Sequence, residues 1–170
     1  MSKPKVGAIG GILLLAFILT TIAVFSKGWY VASVSAFGVK SSAGGGIVPY
    51  NSNEATWFAA ASWMMFISFG LFFPLFAVFL HAGWKVHHHG CCHEIRHNFN
   101  GIALLSSLIA LLEAVAFTLM AINVPDSGSI YGLGKASISL GFSAYLDLVS
   151  AIFLIVVMAL AGHVSRHHCH

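Results

Sequence analysis

Charged residues are scarce in this chain of 170 residues: Asp, Glu, Lys and Arg make up 8% of it, against 58% for hydrophobic residues. Soluble domains carry about 25% charged residues, so the composition excludes an ordinary water-soluble protein. The apolar residues form four stretches, each long enough to cross a bilayer as a helix. We therefore expect an all-α membrane protein, a four-transmembrane-helix bundle in one domain (1–170), with helices at about residues 6–25, 57–83, 101–124 and 137–162.

Lysine and arginine are absent from these four stretches, and the only acidic residues in them are Glu113 and Asp147. A charge at the bilayer centre costs about 3 kcal/mol, so such residues normally face the bundle interior. At about 1.5 Å per residue, both acids lie roughly 15 Å below the predicted outer ends of helices three and four. We expect an acid pair that locks these two helices, with at least one carboxyl protonated, because neighbouring like charges in a low dielectric do not both ionise. The alternatives are a proton or cation pathway and pairing with a basic residue of a partner protein.

The distribution of basic residues predicts the orientation. The side that holds both chain termini carries Lys3, Lys5, Lys85, Arg96 and Arg166. The other side carries Lys27, Lys40 and Lys135. Because cytoplasmic loops are enriched in Lys and Arg, we expect both termini to be cytoplasmic, in a multi-pass protein of the plasma membrane.

Cysteine is absent from both outer segments, which excludes a disulfide there. The three cysteines lie on the inner side, among most of the ten histidines. Adjacent Cys91 and Cys92 are candidate palmitoylation sites. The remaining inner residues are candidate zinc or copper ligands, although their spacing is not that of a zinc finger: His87, His88, His89, His93, His167, His168, Cys169 and His170. A plain weakly basic rim is the alternative, and no cofactor is expected.

Catalytic motifs are also absent: the chain contains no HExxH, no phosphate loop and no Ser-His-Asp arrangement visible in the sequence. We therefore expect no enzymatic activity.

The first outer segment, residues 26–56, is rich in β-forming residues. Residues 29–37 and 47–50 predict two strands of a small extracellular hairpin or sheet, interrupted by the glycines at 44–46. The second outer segment, 125–136, predicts a tight turn. We expect an outer contact surface formed by Trp29, Tyr30, Phe37, Ile47, Val48 and Tyr50.

Two local motifs carry a family resemblance. Trp29 precedes Phe37-Gly38-Val39-Lys40, which looks like a degenerate Gly-Leu-Trp, and helix four opens with Gly141-Phe142-Ser143-Ala144-Tyr145-Leu146. In this the chain resembles the claudin-like four-transmembrane superfamily, which includes claudins, peripheral myelin protein and calcium-channel gamma subunits. The resemblance implies four helices, cytoplasmic termini and a longer first outer loop. Both loop cysteines of that family are missing, with Ser41, Ser42 and Ala43 where the first would fall.

The missing cysteines argue against a paracellular barrier or pore. The resemblance then implies a non-enzymatic protein that acts by lateral assembly, as an auxiliary subunit of a membrane (channel) complex or as a junction or membrane organiser. Its expected partners are the lipid bilayer and other integral membrane proteins or further copies of itself, and not nucleic acid. The alternative is a small ion, proton or metal transporter that uses Glu113 and Asp147.

Overall fold

Four long helices build the molecule. The structure is a computed structural model and describes residues 3–36, 39–48, 55–89, 93–124, 129–130 and 134–167. The helices are α1 (Lys3–Phe25), α2 (Thr56–His89), α3 (His93–Asn123) and α4 (Phe142–His167). Each contains an apolar span of membrane length: Val6–Phe25, Thr56–Val86, Arg96–Asn123 and Phe142–Arg166. The predicted four-span bundle is confirmed.

The inner connection is shorter than predicted. Residues 84–89 continue α2 and residues 93–100 open α3, so most of the predicted loop is helical. The hydropathy of the sequence measures the part of a helix that crosses hydrocarbon, whereas the helix itself can continue beyond it, here through Gly83 in α2 and ahead of Gly101 in α3. The candidate ligands His87, His88, His89 and His93 therefore belong to helix ends.

Both outer segments contribute strands to one antiparallel sheet. The strands are β1 (Tyr30–Ala36), β2 (Val39–Gly45), β3 (Ser129–Ile130) and β4 (Gly134–Leu140), in the order β2-β1-β4-β3. In the centre of β1, Ser33 pairs with Ser42 of β2 on one side and with Ser137 of β4 on the other. The predicted outer sheet is confirmed, but the tight turn predicted for the second outer segment is wrong. Helix four likewise begins at Phe142 and not at residue 137.

The second strand also differs from its prediction. It runs through Gly44 and Gly45, while Ile47 and Val48 form a bend. The glycines do not interrupt the strand. Because they have no side chains, they allow the end of the strand to lie directly on the backbone that follows α1. A methyl group at Gly46 would lie 2.6 Å from the carbonyl oxygen of Ser26. Glycine in a strand often marks such a close backbone approach.

The bundle has two apolar cores at different depths. The inner core joins the halves of the helices at the end of the bundle that carries the chain termini, and it includes Leu13, Phe72, Ile109 and Leu154. The outer core lies under the sheet and includes Trp29, Ile47, Phe58, Met65 and Met120. Along every helix, buried polar residues lie between the residues of the inner core and those of the outer core. These polar residues form the first candidate site.

Candidate functional site

A layer of buried polar side chains separates the two cores. Every helix contributes to it, and each of these side chains is 0% exposed: Thr20 of α1, Ser68 of α2, Glu113 of α3, and Asp147 and Ser150 of α4. Because α1 and α3 run outward while α2 and α4 run inward, positions far apart in sequence reach the same level. The outer ends of the spans are staggered: Thr20 and Asp147 lie five residues from the outer ends of theirs, whereas Glu113 and Ser68 lie ten and twelve residues from theirs.

Glu113 is held by hydroxyl groups from the helices on either side. The Thr20 hydroxyl donates to Glu113 Oε1 at 2.8 Å, and the Ser150 hydroxyl reaches the same oxygen at 3.4 Å. The two hydroxyl oxygens lie 2.7 Å apart, and both contact the Ala16 carbonyl oxygen, at 3.0 and 3.1 Å. This network ties α1, α3 and α4 together at one point, so the acid acts as a cross-link of the bundle.

Asp147 lies one helical turn before Ser150, on the same face of α4. Ser150 in turn reaches Glu113 Oε1, so Asp147 and Glu113 belong to the same buried layer. Among the residues that the structure describes, neither Asp147 oxygen has a hydrogen-bond partner, nor does Glu113 Oε2. No Lys or Arg is among the buried residues of the described chain. The layer thus holds three unpartnered carboxyl oxygens, and chemically it can take up a proton or another cation.

Trp29 and Ile47 do not belong to an outer contact surface, so that part of the prediction is wrong. Both are 0% exposed and pack in the outer core, because the sheet folds down onto the helix ends and covers them. The Trp29 indole N–H donates to the Ala23 carbonyl oxygen at 2.6 Å. Tyr30 and Val48 are half-buried against the same core.

The remaining predicted contact residues, Phe37 and Tyr50, lie outside the described residues. Sequence reasoning missed a cavity of about 290 Å³ beneath the sheet, which is lined by Tyr30, Ala55, Trp57, Phe58, Asn123, Val124 and Ile138. The only sequence signal for it is the aromatic pair at the start of α2, which also occurs at ordinary membrane interfaces.

A four-helix bundle with a longer first outer segment is the arrangement that the resemblance implied. The family model described as "Tight junction protein, Claudin-like" matches residues 1–170. The chain belongs to the claudin-like family. No curated protein matches it.

The motif at the start of α4 has a structural role in this claudin-like chain. The Ser143 N–H donates to the Gly28 carbonyl oxygen at 3.0 Å, and the Ser143 and Ser26 hydroxyls lie 2.6 Å apart. The Gly141 N–H donates to the Trp29 carbonyl oxygen at 2.9 Å. These bonds join the first turn of α4 to the chain that leaves α1, and they position the sheet on the bundle.

The His/Cys predictions of the claudin-like chain remain predictions. Cys91, Cys92, His168, Cys169 and His170 lie outside the described residues. His87, His88, His89, His93 and His167 lie at helix ends, where the structure describes the backbone alone. Within the described ranges no three His, Cys, Asp or Glu side chains are grouped so as to hold a metal ion.

Proposed function

We propose that this claudin-like protein acts by lateral assembly in the plasma membrane, with cytoplasmic termini and without catalysis. It would assemble with further copies of itself or as the auxiliary subunit of a larger membrane complex. Membership of the claudin-like family and the four spans support a tetraspan membrane role. The excess of basic residues on the side of the termini supports the orientation.

One observation carries the proposal: the outer sheet has an open edge. In the described sheet β2 pairs with β1 alone, and its residues Ser41 to Gly44 are exposed. An exposed edge strand presents unpaired N–H and C=O groups, which form a template for pairing with another chain. The opposite edge is a strand of two residues. The β2 edge is therefore the surface through which we expect two copies to pair.

A cysteine placed in the middle of β2 tests this edge. Two β2 strands pairing antiparallel about a two-fold axis bring the central residue, Ser42, opposite its counterpart. Opposed residues lie about 4.5–5.5 Å apart between Cα atoms, within the range that a disulfide spans. We expect Ser42→Cys, in a background with the three native cysteines replaced by serine, to form a cross-linked dimer on mild oxidation of intact membranes.

The matched control is Ser33→Cys on β1, because this serine is paired with Ser42 on one side and with Ser137 on the other. Equal cross-linking of the two variants would overturn edge-to-edge pairing, as would the absence of a Ser42→Cys dimer. Native mass measurement after gentle solubilisation covers the wider proposal. A homo-oligomer or a complex with another membrane chain supports lateral assembly, whereas a solitary monomer contradicts it.

The acid layer favours a second candidate function, transport of protons or small cations. The observation behind it is the set of unpartnered, fully buried oxygens of Asp147 and Glu113. We expect Glu113→Gln and Asp147→Asn, which keep the side-chain shape, to abolish any cation or proton flux through proteoliposomes if the layer is a transport site. The control is Glu54→Gln, which makes the same change outside the four spans. Wild-type protein without flux above empty liposomes would eliminate this candidate.

A further inference from the structure

A second cavity lies between α3 and α4, at the end of the bundle that carries the termini. Its volume is about 530 Å³, within the range typical of small-molecule sites. It is lined by Asn100, Ala103, Met158, Ala159, Gly162, His163 and Arg166. Neither the acid layer nor the outer sheet includes any of these residues, so the cavity is a separate feature of the fold.

The lining of this α3–α4 cavity changes from apolar to polar toward the membrane surface. Helix α4 runs inward, and at about 1.5 Å per residue Arg166 lies roughly 12 Å nearer the inner end than Met158. Helix α3 runs outward from the same end, so Asn100 lies nearer the surface than Ala103. All of the lining lies within the spans Arg96–Asn123 and Phe142–Arg166, with its apolar part deeper and its polar part toward their inner ends.

The polar end has the chemistry of an anion site. It presents the guanidinium of Arg166 and the amide of Asn100 beside His163, and among the described residues that line it none is acidic. The Ser165 hydroxyl donates to Asn100 Oδ1 at 2.6 Å, which fixes the amide and leaves its NH2 group as the donor. Arginine forms charge-assisted, often bidentate hydrogen bonds with phosphate oxygens. Exposed Arg96 precedes Asn100 by about one turn of α3 and adds positive charge.

We propose that the α3–α4 cavity binds an anionic phospholipid. Its phosphate lies against Arg166 and Asn100, and one acyl chain runs along Ala103, Met158 and Gly162. Basic pockets between transmembrane helices on the cytoplasmic side are suited to such headgroups. The assignment to the cytoplasmic leaflet follows the proposed orientation, but the binding itself depends neither on that orientation nor on the β2 edge.

Native mass spectrometry of the full chain in detergent tests the proposal in a setting where orientation plays no part. The probes are phosphatidylserine and, for comparison, phosphatidylcholine with the same acyl chains. We expect phosphatidylserine to bind at least about tenfold more tightly, since its net charge complements the cavity. Equal binding of the two lipids would overturn the proposal.

Two variants separate the charge of the cavity from its shape. Arg166→Gln is expected to weaken phosphatidylserine binding about tenfold, because a charge-assisted hydrogen bond is lost. Its control, Lys27→Gln, makes the same charge change at an exposed position at the other end of the bundle and should leave binding unchanged. If both variants lost the same affinity for phosphatidylserine, the effect would come from the net charge of the protein. That result would contradict a specific site.

Gly162→Leu fills the cavity without altering its charge. A Cβ atom at Gly162 meets no other atom within 4 Å, so a side chain there starts from open space and extends into the region assigned to the acyl chain. We expect binding to be lost, whereas Gly70→Leu, equally free of neighbours but on α2, should bind as the wild type does.

The source of the phosphate group is decided by a competition experiment. Soluble glycerophosphoserine carries the headgroup without acyl chains, and we expect it not to displace the lipid at equal concentration. Displacement at equal concentration, or unchanged lipid binding in Gly162→Leu, would show a plain phosphate site at the rim and overturn the lipid assignment.

Discussion

Trp29→Ala is expected to lower the free energy of unfolding by about 3–5 kcal/mol, the cost typical of truncating a fully buried aromatic side chain. Trp29 is 0% exposed, and its ring fills the outer core between the sheet and the helix ends. The variant also leaves the Ala23 carbonyl oxygen without the indole donor that lies at 2.6 Å. The measurement is denaturant-induced unfolding in mixed micelles, together with size-exclusion chromatography.

Two companion variants make this prediction specific. Trp29→Phe keeps most of the packing but removes the N–H donor, so it should cost clearly less than the alanine variant. Trp63→Ala removes the same atoms from a side chain that is 58% exposed on the outside of α2, and it should cost little. If Trp29→Ala and Trp63→Ala unfolded at the same denaturant concentration, the Trp29 side chain would not stabilise the outer core as predicted.

Gly141→Ala is expected to destabilise the protein by about 3 kcal/mol, through overpacking and the loss of backbone hydrogen bonds. A methyl group at Gly141 would overlap the Gly28 carbonyl oxygen and lie 2.6 Å from its carbon. Both obstacles are backbone atoms, so no side-chain rotation relieves the overlap. The first turn of α4 would have to move away from the Gly28 turn, which strains the bond from Gly141 N–H to the Trp29 carbonyl oxygen.

The control for Gly141→Ala has the opposite expected sign. Gly70 is an exposed position within α2, and a methyl group there meets no atom within 4 Å. Gly70→Ala should therefore stabilise the helix by about 0.5–1 kcal/mol through helix propensity. The same unfolding experiment measures both variants. A Gly141→Ala protein as stable as the wild type would mean that the α4 junction is loose and does not position the sheet.

The outer half of the molecule shows how far local sequence signals reach. The β-forming residues after α1 predicted a sheet, and a sheet is present. The pattern could not show that β4 pairs with β1, since this contact joins segments about 100 residues apart and depends on where α4 starts. It also could not show that Gly46 lies on the backbone of Ser26, because a glycine that ends a strand and one that allows close packing look alike in sequence.

The acid layer shows the same limit within the spans. The equal depth predicted for Glu113 and Asp147 assumed that helix four begins at residue 137; because α4 begins at Phe142, Asp147 lies five residues from the outer end of its span and Glu113 ten residues from the end of its own. The partners of each acid did not follow from the sequence. Thr20 and Ser150 became hydrogen-bond partners of Glu113 only through the rotation of α1 and α4 about their axes. The rotation of a helix about its axis depends on side-chain packing between helices. The sequence of a uniformly apolar span does not indicate that packing.

The sequence by itself determined that this is a four-span membrane protein with two acids inside its spans and a β-structured outer segment. It could do so because membrane insertion responds to the length and apolarity of continuous stretches, which are local properties of the chain. Only the tertiary structure decided that the outer segments share a sheet with one open edge, and that Trp29 and Ile47 form a core and not a contact surface. The α3–α4 cavity likewise arises from contacts between distant segments, whose geometry no single stretch of sequence encodes.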